Sequence, residues 1–183
     1  MTEPNTLFTK EGFLFVKNKD KNYSLYFEIE NNNIILEKII DFHLVKLIYD
    51  LNPEIYEKVN LKIMNENEAT INLLLKHLYE ELGLPQRFTY VHIKKEISKD
   101  NITFESKTIK SERPEGMPNE AELMPIKNMI IKCDIITQHK IKFTCNIIFE
   151  DTMIIPSIVE KIVGFVSFKI FSRVKQFIEK VSV

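Results

Sequence analysis

The side chains that most often perform catalysis or bind metals are scattered along this sequence. No pair of its histidines has the i, i+4 helical spacing or the Cys-x-x-Cys companion of a zinc site. The four glycines form no phosphate-binding loop, and the wide scatter of acidic residues pairs no two of them as acid and base. The sequence therefore predicts no cofactor and no metal. It favours a non-enzymatic protein and leaves an enzyme open. The histidines are His43, His77, His92 and His139.

Cys133 and Cys145, the only cysteines, are too few for a disulfide framework. They lie on successive predicted strands, where a three-residue turn would set them opposite each other with Cβ atoms about 5 Å apart. Such thiols could form a redox pair or half of a metal site, whereas buried cysteines commonly act as small hydrophobic residues. Because Met1 to Glu11 lacks the apolar run of a signal peptide, we expect reduced thiols and an intracellular, cytoplasmic protein.

Length and composition predict a single globular domain, residues 1–183. Of these residues 44% are hydrophobic, which is enough to bury a core. The formal net charge of −1 argues against nucleic-acid binding, because nucleic-acid-binding domains normally carry an excess of basic residues. The 27 Ile and 15 Asn are associated with an AT-rich genome, as in some bacteria, protists and large DNA viruses, so a viral source is one expectation.

Hydrophobic periodicity divides the chain into four segments. Tyr23, Leu25, Phe27 and Ile29 alternate with polar residues, and Ile34 to Ile40 is expected to return as a further strand. We predict an α+β fold, in which an antiparallel sheet of six or seven strands carries two central helices and a long C-terminal helix across it. The segments are a β-meander (12–40), a helical segment (41–83), four antiparallel strands (88–150) and the terminal helix (157–182).

The helical segment contains two predicted helices. Phe42, Val45 and Ile48 indicate a short first helix. A second helix is expected from about Glu66, ending at Gly83 in the C′ position. The predicted buried face of this second helix is Ile71, Leu74, Leu75, Leu78 and Leu82.

The chain is expected to be organised around its terminal helix. Ser157 is the expected N-cap, and Glu160 three residues later fits a capping box. Ile170, in the middle of an apolar stripe, is expected to be buried against the sheet. The stripe is Val159, Val163, Val166, Ile170, Val174, Phe177 and Val181.

A second surface of the terminal helix is a candidate partner-binding site. Gly164, Phe168, Phe171 and Lys175 cluster away from the main stripe, on a helix with three more basic than acidic residues. Either another helix of the same domain covers this side, or it contacts a protein partner, a second copy of the chain or an anionic membrane surface. The irregular stretch 111–125, with three prolines and four glutamates, is either disordered or a docking loop.

The order of elements resembles that of helix-grip domains, in which a curved sheet holds a long C-terminal helix over a hydrophobic cavity. It departs from them in starting with two or three strands rather than one and in having four later strands rather than six. A helix, four strands and a helix also resemble half of a TATA-binding-protein saddle, whose second half is missing. Both resemblances concern element order alone, which does not transfer function.

Two functions from different classes follow from these observations. The first is a non-enzymatic binding or scaffold protein that engages a partner through the terminal helix and the 111–125 loop. The alternative is a carrier of a small hydrophobic ligand, with a cavity between sheet and helix lined by Phe88, Tyr90 and His92. A cavity with a few convergent polar groups would favour the carrier, and an exposed aromatic patch would favour the scaffold.

Overall fold

The computed structural model describes residues 4–77, 80–153, 155 and 157–182, without the side chains of Leu82 and Ile158. These residues form an α+β fold with two α-helices and a ten-stranded sheet, against the predicted three helices and six or seven strands. The helices are α1 (Phe42–Asp50) and α2 (Ser157–Lys180). The strands are β1 (Asn5–Lys10), β2 (Phe13–Lys19), β3 (Asn22–Glu30), β4 (Tyr56–Asn65), β5 (Glu68–Leu75), β6 (Arg87–Ile97), β7 (Asn101–Thr108), β8 (Glu122–Leu123), β9 (Ile126–Thr137) and β10 (Lys140–Phe149).

The strand order is β1-β2-β3-β10-β9-β7-β6-β5-β4, with β8 beside β6. All neighbours are antiparallel except the β6–β8 pair. Both helices lie on one face, here called the inner face. Phe171 of α2 packs on Phe27 and Phe143, and Phe42 of α1 packs on Phe104. The predicted packing of a C-terminal helix across an antiparallel sheet is confirmed.

The N-terminal meander starts earlier and ends earlier than predicted. Strand β1 was missed, and a turn at Glu11 and Gly12, both with positive φ, connects it to β2. The strand expected at Ile34 to Ile40 is wrong, because β3 already pairs with β2 and β10 and offers no free edge. A single 3-10 turn at Leu36–Ile39 stands there instead, and it buries Leu36 completely.

The short helix α1 was predicted correctly. The Asp41 carboxylate caps it by accepting hydrogen bonds from the backbone amides of His43 and Leu44, at 2.9 and 3.0 Å. Phe42, Val45 and Ile48 form its buried face. The helix thereby holds one apolar stripe against the inner face of the sheet.

The helix expected between Glu66 and Gly83 is wrong, because most of that stretch belongs to the β4–β5 hairpin. Ala69, Ile71 and Leu73 alternate into the core, and Leu74 packs on the opposite, outer face. This apolar run is compatible with both the helical and the strand periodicity. It forms a strand because β5 pairs with both β4 and β6. Leu78 and the Leu82 side chain of the predicted stripe lie outside the described residues. Gly83 takes a φ of +67°, after a 3-10 turn at Glu80–Leu82.

The four later strands are confirmed as β6, β7, β9 and β10. The stretch 111–125 between them contains only the two-residue strand β8 as regular strand structure. It is packed down on the outer face, where Met117 and Ala121 are buried against Phe88 and Leu74. Arg113 stacks on Phe88 and donates hydrogen bonds to the carbonyl oxygens of Pro118 and Ala121.

Cys133 and Cys145 are free, buried thiols on neighbouring strands with both side chains in the core. Their expected opposition is wrong, because a register shift near the hairpin turn sets Phe143 opposite Cys133 and Ile131 opposite Cys145. The two cysteines are therefore diagonal neighbours. Burial, with smaller contributions from Asp134 and Cys145, raises the pKa of Cys133 to about 12, and burial raises that of Cys145 to about 12.

Helix α2 buries more of its circumference than its stripe predicts. Ile170 and Val174 are buried as expected, but Phe177 is 46% exposed. Phe168, which lies away from the predicted stripe, is buried between Phe8 of β1 and Phe13 of β2. The expectation that Phe168 and Phe171 face away from the sheet is wrong, because β1 and β2 extend under Phe168 and Phe171 packs on β3 and β10. No helix among the described residues is long and apolar enough to cross a membrane.

Candidate ligand-binding cavity

A cavity of about 340 Å³ lies between α2, α1 and the inner face of the sheet. Its wall is mostly apolar, with three elements contributing aliphatic or aromatic side chains. Among these wall residues are Val163, Val166 and Ile170 of α2, Val45 of α1, and Met129 and Ile147 of the sheet. Ligand pockets of proteins range from about 300 to 1,000 Å³ and are lined in this way, so a small hydrophobic molecule fits the site.

The three cavity residues predicted from the sequence lie on the other face of the sheet. Phe88 is buried on the outer face under the 111–125 loop. The Tyr90 hydroxyl donates a hydrogen bond to the Glu112 carboxylate, and His92 Nε2 lies 3.9 Å from Glu68 Oε1. The alternation along β6 was predicted correctly, but Arg87, not these three residues, lies in the cavity wall. Sequence alternation separates the two faces of a strand, and only the sheet order says which face the helix covers.

Glu160, in the first turn of α2, gives the cavity wall a buried charge. It is 8% exposed, and its Oε1 accepts hydrogen bonds from the Tyr23 hydroxyl at 2.5 Å and the Lys17 ammonium at 2.7 Å. Burial and the hydrogen bond to Glu160 raise the pKa of Tyr23, so its hydroxyl stays protonated. The hydrogen bond to Glu160 raises the pKa of Lys17, against a smaller opposing effect of its burial.

Sequence reasoning missed this cluster because 137 residues separate Tyr23 from Glu160. Glu160 was expected to bond back to Ser157 in a capping box, but its carboxylate turns to β2 and β3 instead. Ser157 is already the first helical residue, so it is not the N-cap. The sequence did show an acidic residue in the first turn of an apolar helix. Such a residue is explained equally well by a capping box and by the favourable interaction of a negative charge with the helix N-terminus.

Two basic side chains, Arg87 and Lys76, also lie in the wall of the cavity. Arg87 pairs with Glu122 of β8 at 2.7 Å, so its charge is already balanced by an acidic residue. Strand β8 brings Glu122 beside Arg87 of β6. The wall therefore carries Glu160 and Arg87, each with a counter-charge, and the exposed side chain of Lys76.

The remaining wall groups are suited to binding apolar atoms. Cys145 is a protonated thiol, and Tyr49 and Tyr56 have pKa values raised by burial, so all three are uncharged at neutral pH. Among the described residues, no three His, Cys, Asp or Glu side chains converge as a metal site would require. The arrangement can enclose a hydrophobic molecule and offer one or two polar contacts to it.

The predicted partner-binding residues lie beside this cavity rather than on a free surface. Gly164 is buried against Phe8 and Phe15, and Phe171 packs on Phe27 and Phe143. Lys175 donates a hydrogen bond to the Glu28 carbonyl oxygen and pairs with Glu179. Gly164, Phe168, Phe171 and Lys175 thus join α2 to the sheet. Binding of a partner through them stays a prediction.

No protein-family model matches the chain, and no curated protein matches its sequence. Solved structures do match its fold. The human StarD13 (DLC2) lipid transfer and protein localization domain has a TM-score of 0.72 at 11% identity, over 99% of this chain and 91% of that chain. The STAR-related lipid transfer protein from Xanthomonas axonopodis has a TM-score of 0.70 at 12% identity, over 97% of this chain and 99% of that chain. Human STARD10 has a TM-score of 0.68 at 10% identity, over 94% of this chain and 71% of that chain.

At these identities the likeness shows the fold alone, which is a START-like helix-grip fold. It agrees with the element order that resembled helix-grip domains, with a larger sheet than expected. It supports neither the AT-rich genome nor the viral source expected from composition.

Proposed function

We propose that this protein binds a small hydrophobic ligand in the cavity under α2 and acts as its carrier. The single observation that carries the proposal is the cavity of about 340 Å³ with a mostly apolar wall and few polar groups. Burial of an alkyl or ring system there would gain roughly 25 cal/mol for each Å² of apolar surface removed from water. We expect the carrier to work inside the cell, where its two thiols stay reduced.

The fold likeness supports the same proposal from an independent direction. The human StarD13 and Xanthomonas axonopodis structures carry lipid transfer in their names, and both cover nearly all of this chain. Binding needs only a shaped apolar cavity, which the described residues provide. A scaffold role through α2 and the 111–125 loop stays a second prediction. Phe165 and Phe177 are the α2 phenylalanines left about half exposed for such a contact.

Fluorescence of diphenylhexatriene, an apolar dye without a polar group, tests the carrier proposal. We expect saturable enhancement with about one dye per chain, and no binding of this kind if the cavity does not admit ligands. Val163→Phe places a ring in the cavity wall and should weaken binding at least about tenfold, since it occupies the ligand's volume. Gln176→Phe, on an exposed position of the same helix, is the matched control and should bind like wild type.

A further inference from the structure

We propose that the cavity selects ligands whose polar end is a neutral hydrogen-bond donor, a hydroxyl or an amide N–H, and that Glu160 Oε2 accepts this hydrogen bond. The inference rests on the proposed function, because it names the ligand class for the same cavity. It goes further in assigning the polar contact to one atom, and it makes long-chain alcohols and acyl amides better ligands than the corresponding acids.

The two carboxylate oxygens of Glu160 differ in their surroundings. Oε1 accepts from both Tyr23 and Lys17, while no described residue donates to Oε2. The residue is more than nine-tenths buried and lies in the cavity wall. An acceptor oxygen without a donor, on a residue buried to this extent, leaves a hydrogen bond unmade, so a donor inside the cavity would be bound strongly. A ligand hydroxyl placed at this end of the cavity supplies that donor.

The charges around Glu160 restrict what the donor can be attached to. Lys17 compensates the carboxylate, so a neutral ligand leaves the pair balanced. The Tyr23 hydroxyl already donates to Oε1 and stays protonated, so it is not available to donate to a ligand. A ligand carboxylate or phosphate brings acceptors and a negative charge, both of which are unfavourable next to Glu160.

The basic side chains in the wall offer the alternative contact for an anionic ligand. Arg87 already pairs with Glu122 at 2.7 Å, and that carboxylate would have to give way to a ligand anion. Lys76 lies in the same wall but is exposed, so water weakens its attraction. Glu160 Oε2 has no donor among the described residues and belongs to a residue that is more than nine-tenths buried, whereas the cationic groups are balanced or solvated. This difference favours the donor ligand.

Displacement of bound diphenylhexatriene at pH 8 by three ligands with identical chains tests this inference. Dodecan-1-ol has the donor, 1-methoxydodecane has the oxygen without the donor, and dodecanoic acid is anionic. We expect the alcohol to displace the dye at about tenfold lower concentration than the ether, because a hydrogen bond to a charged group is stronger than a neutral one. The acid should be the weakest of the three.

Glu160→Gln identifies the atom responsible. Because Lys17 and Tyr23 both donate, the glutamine is expected to turn its carbonyl oxygen to them and its NH₂ group to the cavity. The alcohol should lose its advantage over the ether, and the ether and the acid should gain affinity. Glu179→Gln, a carboxylate farther along α2 and paired with Lys175, is the matched control and should keep the wild-type order.

The outcomes separate this inference from the proposed function. If wild type binds no dye, the carrier proposal itself fails. If it binds dye but alcohol and ether displace it equally, or the acid is preferred, the donor inference is overturned. The same follows if Glu160→Gln keeps the wild-type order. Circular dichroism checks folding of the variant, and should it not fold, the comparison of the three ligands on wild type decides alone.

Discussion

At the scale of single residues, Glu54 connects the two helices. Its carboxylate lies after α1 and binds Arg173 and Lys169 of α2, with Arg173 Nη1 at 2.6 Å and Lys169 Nζ at 3.2 Å. Arg173 also donates to the Leu51 carbonyl oxygen at 3.0 Å. Burial works to raise the pKa of Glu54, but the hydrogen bonds from Arg173 and Lys169 outweigh it and lower the pKa to about 2.

We expect Glu54→Gln to lower the midpoint of thermal unfolding at pH 7. The folded pKa is depressed, so the carboxylate stabilises the protein above its unfolded pKa of about 4.5 and loses this effect as pH falls toward 2. The difference between variant and wild type should therefore shrink between about pH 5 and pH 2. Thermal melts across this range measure it. Glu37→Gln, at an exposed carboxylate, is the control, and a difference that does not change with pH would contradict the prediction.

At the scale of elements, α2 is held by residues on two sides. Ile170 lies in the predicted stripe, and Phe168 lies on the side that β1 and β2 cover. The Asn31 amide, in the turn after β3, donates to the carbonyl oxygens of Ile178 and Val181 and so satisfies the end of the helix. The helix is thus fixed along its length by strands distant in sequence.

Truncation of these side chains should destabilise the fold. Ile170→Ala should cost about 2–5 kcal/mol in the free energy of unfolding and Phe168→Ala about 3–5 kcal/mol, through lost burial and the cavity left behind. Val163→Ala should cost less, since Val163 is half-buried in a cavity wall and loses fewer atoms. Denaturant melts give these values.

The double change of Phe168 and Phe171 to Ser tests the packing of the far side of α2. It should unfold the chain, because Phe168 is buried in the core and Phe171 packs against it. A folded double variant with reduced self-association, partner capture or liposome binding would instead support the partner surface predicted from the sequence.

The 111–125 loop is the element whose accessibility remains to be tested. Its prolines limit regular structure and its residues near Glu112 and Glu120 are exposed, so we expect it to be the most protease-sensitive internal segment. Met117 and Ala121 tie its middle to Phe88, so cleavage should occur near Glu112 or Glu120 rather than at Met117. Limited proteolysis with mass spectrometry locates the cuts. First cuts elsewhere in the interior of the chain would contradict this expectation.

At the scale of the whole molecule, one hydrophobic cluster contains residues from both helices and from strands at both ends of the chain, from Phe13 to Ile178. We therefore expect residues 1–183 to unfold as a single domain. Circular dichroism and tyrosine fluorescence should report coincident transitions. Two separated transitions would mean that parts of the chain fold independently.

The sequence by itself determined the local periods of the chain. Alternation located β2, β3, β6, β7, β9 and β10, and the three-to-four spacing located α1 and α2, because side-chain direction repeats with the backbone. The apolar run near Ile71 fitted both periods and was assigned to a helix. That run is a strand because β5 pairs with β4 and β6, which only the tertiary structure shows.

Tertiary structure alone decided which faces meet. Phe88, Tyr90 and His92 share a strand face in the sequence, but strand order turns that face away from α2. Glu160 meets Tyr23 and Lys17 only because α2 crosses the strands that carry them. Long-range contacts of this kind depend on sheet order and register, which local side-chain periodicity does not encode.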